Sequence, residues 1–60
     1  MYVYILKLKH RQTGRIIKRN VVKYSTTDGK YYVVHLTDCK TIKYQQNDFE
    51  ILSCRRDLRF

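Results

Sequence analysis

Polar and apolar positions alternate in short runs along this chain, and no segment keeps a helical period with caps at its ends, so the pattern predicts strands throughout and no helix of useful length. Residues 2–9, YVYILKLK, have strand composition, with Tyr2, Tyr4, Leu6 and Leu8 on one face. Val3 and Ile5 occupy the other face, which turns cationic at Lys7 and Lys9. HRQTG at 10–14 reads as a turn, because Gly14 tolerates a positive φ. The second strand, 15–25, has adjacent apolar pairs at Ile16-Ile17 and Val21-Val22. That slip predicts a β-bulge or sharp bend near Lys18–Asn20.

Asp28-Gly29 is a hairpin signal. It leads into a third strand over 30–37, with Tyr32, Val34 and Leu36 on one face and Tyr31, Val33, His35 and Thr37 on the other. Asp38-Cys39-Lys40 forms a turn, and 41–44 a short fourth strand with Ile42 and Tyr44 on one side. Residues 45–48 are a polar turn, in the manner of one turn of 3₁₀ helix, and 49–54 a fifth strand. The closing RRDLRF has Leu58 and Phe60 as apolar anchors. It is expected as a flexible basic tail over 55–60, a sixth short strand or a helical turn. Short strands joined by tight turns predict an all-β domain, a small five- to six-stranded barrel or sandwich occupying 1–60 as a single unit.

From Gly14 onward the order of features resembles an SH3-like barrel of the Tudor or KOW type. A glycine loop precedes a long bent strand, followed by the Asp28-Gly29 hairpin, Tyr32-Val33-Val34-His35-Leu36, the Asp38-Cys39 turn, and Asp48-Phe49-Glu50-Ile51-Leu52. Cys39 stands where such barrels commonly carry glycine, and the long apolar first strand exceeds what they need, which leaves strand order and pairing between two chains open. The resemblance implies a binding module for nucleic acid, ribosomal or polymerase components, or short protein segments.

Size and charge narrow the chemistry. Sixty residues make a thin core with little room for a deep, water-excluding active site. No paired carboxylates, Ser-His-Asp set or phosphate-cradling glycine loop is visible, so the expected class is non-enzymatic and without cofactor. His10, His35, Cys39 and Cys54 are the only soft metal ligands, and they lack a C-x₂-C pair, so no metal site is expected; the cysteines read as small buried residues and the histidines as surface ones. No run is long and apolar enough to span a membrane, and the apolar N-terminus lacks signal-peptide flanks, so a reduced, cytoplasmic setting is expected.

The net charge is +8, from thirteen Lys and Arg against five Asp and Glu. Residues 1–27 contain Lys7, Lys9, Arg11, Arg15, Lys18, Arg19 and Lys23 and no acid at all. Pairing of 2–9 with 15–24 would bring these cations to one end and one face of a hairpin, where they would neutralise phosphates. Among six tyrosines, Tyr32 and Tyr44 are expected in the core, and Tyr24 and Tyr31, flanking the Asp-Gly turn, as a stacking platform. DNA or RNA is the expected partner, in an accessory or regulatory role such as that of a phage or mobile-element protein. The alternative is a protein-interaction module, monomeric or a homodimer, that binds an acidic protein surface.

Overall fold

A computed structural model describes residues 2–59 of the chain. They form five strands, β1 (Tyr4–His10), β2 (Ile16–Thr27), β3 (Tyr31–Leu36), β4 (Thr41–Gln45) and β5 (Phe49–Arg56), and no helix. All pairings are antiparallel, and the sheet order is β4-β3-β2-β1-β5. The first strand is therefore central, and the last returns beside it.

β4 and β5 lie at opposite edges of the sheet, yet only residues 46–48 connect them. In a flat sheet those edges would stand roughly 19 Å apart, from four spacings of about 4.8 Å. The chain from Gln45 to Phe49 spans at most about 15 Å, at about 3.8 Å per residue. The sheet must therefore coil until its edges approach at one corner. The turn there is braced on both sides: Gln46 N–H donates to the Lys30 carbonyl at 2.9 Å and Arg11 N–H to the Asp48 carbonyl at 2.8 Å. No ladder joins β4 to β5 among the described residues, so the sheet is not closed into a barrel.

Two local devices produce the coil. Val21 pairs with Leu36 and Lys23 with His35, which leaves Val22 as an extra residue in β2. Before this bulge Ile17, Arg19 and Val21 face the concave side opposite Leu8, Leu6 and Tyr4; after it Tyr24 and Thr26 do, opposite Val34 and Tyr32. The phase change thus sits at Val22, beyond the Lys18–Asn20 stretch expected from the sequence. The Ile16-Ile17 pair is no slip: Ile16 is simply an exposed outward residue. A second irregularity leaves Leu52 unpaired in β5, between the Lys7–Ser53 and Leu8–Ile51 pairs. Bulges bend and twist a strand, which is what a coiled sheet of this size needs.

The turns are chemically specified. Asp28 and Gly29 have φ of 51° and 66°, and Lys30 N–H donates to the Thr27 carbonyl at 2.8 Å, the type I′ geometry whose twist matches the flanking strands. Gly14 has φ 77° and Cys39 φ 69°, the latter on a side chain that the left-handed region disfavours. The 46–48 turn is closed by Asp48 N–H to the Gln45 carbonyl at 3.0 Å, without becoming a helix.

Leu6, Leu8, Val21 and Val34 are wholly buried on the concave side and Tyr44 nearly so, with Tyr4, Tyr32, Leu36, Ile42, Phe49 and Ile51 packed around them. Tyr44 and Phe49 meet edge to face at 4.9 Å and close the corner where β4 turns into β5. Tyr32 and Tyr44 thus take the core places their alternation predicts.

The C-terminal stretch departs from the expected tail. Arg55 and Arg56 extend β5 and pair with Ile5 and Tyr4. Asp57 is buried, its N–H bound to the Val3 carbonyl at 2.8 Å. Its carboxylate accepts from Arg59 Nη2 at 2.8 Å and Nε at 3.0 Å, while Leu58 is exposed rather than an anchor. Phe60, the other expected anchor, lies outside the described residues. The Arg59 side chain, with the Arg59 backbone N–H, holds the Asp57 carboxyl below its ordinary range. A depressed folded pKa adds stability that is complete above the unfolded value of about 3.9 and is lost as pH falls through the folded value. Urea midpoints should therefore be level from neutral pH down to about pH 5 and then decline. Asp57→Asn should flatten that acid limb, and an unchanged limb in the variant would remove Asp57 as its cause.

Candidate nucleic-acid interface

The cations of the first 27 residues do not form one surface. The register divides them. Lys7 and Lys18 stand directly opposite one another on the convex face of β1 and β2. On its other side Lys7 is opposed by Ser53 of β5, and Arg55, paired with Ile5, lies diagonally across. Ile5, Lys7, Lys18, Ser53 and Arg55 line one shallow depression of about 310 Å³. Like charges directly opposite each other in a sheet destabilise it. No ion pair involving Lys7, Lys18 or Arg55 occurs among the described residues; the pairs present are Arg11–Glu50, Lys40–Asp38 and Arg59–Asp57. Lys7 is also only partly exposed, its aliphatic stem covered by its neighbours.

The remaining cations are placed differently. Lys9 continues the convex row but is opposed by Glu50. Arg11 lies 3.5 Å from the Glu50 carboxylate and donates from Nε to the Gln46 carbonyl at 3.0 Å, so it is spent in part on the fold. Arg15 is exposed at the end of the β1–β2 loop, where its N–H donates to Thr13 Oγ1. Arg19 faces the concave side and donates from Nε to the Tyr44 hydroxyl at 3.0 Å. Lys23 is on the convex face beyond the bulge, opposite His35, beside a separate depression of about 240 Å³ that also takes in Cys39 and Lys40.

Tyr24 and Tyr31 are both exposed, but they do not make one platform. Tyr24 pairs with Val34 on the concave side, whereas Tyr31, three residues from Val34, is on the convex side. Lys43 Nζ lies 5.9 Å from the Tyr31 ring centre.

Arg55 and Ser53 are the polar members of the depression that sequence reasoning missed. Arg55 sits in a run that reads as tail, and its place beside Lys7 follows only from β5 pairing with β1. The signal was there in the alternation of Glu50 to Cys54, which continues in phase once Leu52 is recognised as extra. The two cysteines, expected buried, are both exposed and free, and desolvation raises the Cys54 thiol above its ordinary range. No three His, Cys, Asp or Glu side chains gather into a metal-binding group among the described residues. Among the described residues no helix is long and apolar enough to cross a membrane.

Comparison with protein-family models, curated proteins and solved structures gives no match for this chain.

Proposed function

We propose that this protein is a small binding module that grips the phosphate backbone of a nucleic acid through Lys7, Lys18 and Arg55, acting in an accessory or regulatory role in the cytoplasm. The observation that carries the reading is the in-register pairing of Lys7 with Lys18, joined by Arg55 and unrelieved by any carboxylate among the described residues. A folded protein retains such repulsion at a cost, and a bound polyanion removes it. Phosphate oxygens accept hydrogen bonds from both ammonium and guanidinium groups, and the flanking Ser53 hydroxyl adds a neutral donor. We further read the coiled sheet as an SH3-like barrel left open at one seam. The long bulged β2, the Asp28-Gly29 hairpin and the return of β5 beside β1 support this.

Catalysis plays no part in the proposal, because the depression holds cations and a hydroxyl without a general base or a paired acid. The test is fluorescence anisotropy with single- and double-stranded oligonucleotides over a salt series. The logarithm of the affinity should fall linearly with the logarithm of the salt concentration. Replacing Lys7 and Lys18 together by Ala should reduce the slope by about 1.4 on single strands and about 1.8 on duplex, the loss of two phosphate contacts. An unchanged slope would dismiss these lysines as the contact. Capture of one protein partner in a nuclease-treated pulldown, with no oligonucleotide binding at low salt, would favour the protein-interaction alternative.

A further inference from the structure

We infer that a second site, between the Asp28-Gly29 hairpin and the β4–β5 turn, takes an unstacked base, so that the nucleic acid this protein selects is single-stranded. The inference rests on the phosphate-binding reading above and adds its substrate class. Gly29, Lys30, Tyr31, Gln45 and Asn47 line a depression of about 280 Å³ here, separate from the one between Lys7 and Arg55. Tyr31 is an exposed residue, at 37%, with Lys43 Nζ over one face of its ring at 5.9 Å from the centre, which leaves the opposite face for a base. The exposed amides of Gln45 and Asn47 supply paired donor and acceptor atoms of the kind that bind base edges. An aromatic face, neighbouring amides and flanking cations together suit a nucleotide better than they suit a peptide or an isolated anion.

The site is built before any ligand arrives. Gln46 N–H donates to the Lys30 carbonyl at 2.9 Å, and its side-chain Nε2 donates to the Tyr31 carbonyl at 3.2 Å, so the two turns are fixed to each other. The same turn leads on to the first site. Arg11 donates to the Gln46 carbonyl and reaches Glu50, Glu50 stands opposite Lys9, and Lys9 is two residues from Lys7 on the same face. A backbone held at Lys18 and Lys7 would pass Lys9, Glu50 and Arg11 at this corner on its way to Tyr31. In a duplex the faces of each base are covered by its neighbours and its pairing edge is taken. Only a single strand presents both to a tyrosine ring and an amide.

The experiment uses the whole chain and three fluorescent probes of equal length: an oligothymidylate, an abasic single strand and a duplex. Oligothymidylate should bind about ten-fold more tightly than the abasic strand. Tyr31→Ala should abolish that ratio while leaving abasic binding unchanged, and Tyr31→Phe should preserve it. Circular dichroism of each variant confirms that the sheet is intact. If oligothymidylate and the abasic strand bind alike and with the same salt dependence, or if Tyr31→Ala leaves the ratio in place, the base site is overturned and the phosphate site stands. If none of the three probes binds in a salt-dependent way, both readings fall together.

Discussion

Lys18→Glu will make the folded domain more stable and, on the phosphate-binding proposal, will weaken its affinity for oligonucleotides. In the free protein Lys18 faces Lys7 across β1 and β2 with no acid to separate them. A glutamate there turns a repulsive cross-strand pair into an attractive one, worth roughly 0.2–1 kcal/mol relative to neutral partners and more relative to like charges. The gain is bounded because Lys18 is exposed and water screens such pairs. Binding moves in the opposite direction. The substitution removes one cation and neutralises a second, the equivalent of two lost phosphate contacts. At about 0.1–0.15 M salt each contact contributes a factor of roughly four to eight through counterion release, so affinity should fall by about 15- to 60-fold. Urea denaturation and anisotropy titration on the same sample test both halves. A variant that loses stability, or gains it and still binds as well as the parent, would mean that the paired lysines serve only the solvent face.

The largest loss of stability is expected from Leu6→Ala. Leu6 is fully buried at the centre of β1, with Arg19 opposite it on β2 and Cys54 on β5, and it packs with Leu8, Val21 and Val34. Truncation of such a leucine costs about 2.7–5 kcal/mol, from the transfer term plus the cavity left behind. A chain of this length has a total stability on the order of 3–9 kcal/mol. The variant should therefore be unfolded or close to it at 37 °C, seen as loss of the cooperative thermal transition. Ile16→Ala is the control: Ile16 is half exposed and faces outward, and its truncation should change little. If the two variants melt alike, the assignment of the concave face as the core is wrong.

Most of the local structure was legible in the residues. Asp28-Gly29 requires a turn with two positive φ values, and the type I′ hairpin is there. The alternation of Tyr32, Val34 and Leu36, and of Ile42 and Tyr44, named the concave face of β3 and β4 because side chains on a strand repeat every second residue. The bulge announced itself in the Val21-Val22 pair, but a single sequence shows only that the phase changes somewhere between two strand halves. Which residue is extra depends on the register with β3, and that placed it at Val22.

The candidate site was legible only in part. The acid-free stretch to residue 27 marked Lys7 and Lys18 as members of a cationic surface. It also marked Arg19, which the pleat turns inward to the Tyr44 hydroxyl, and Arg11, which the braced corner engages with Glu50 and Gln46. Charge along a chain has no face until strands pair.

What the sequence determined by itself was the set of strands, their turns and the side of each strand that is apolar, because backbone propensity and two-residue periodicity are local properties. What only the tertiary structure decided was which strands are neighbours. The return of β5 beside β1 brings Arg55 to Lys7, and the short β4–β5 turn coils the sheet and ties its corner to Tyr31 through Gln46. Those contacts join residues at least fifteen positions apart, and they follow from closing the chain around one small core.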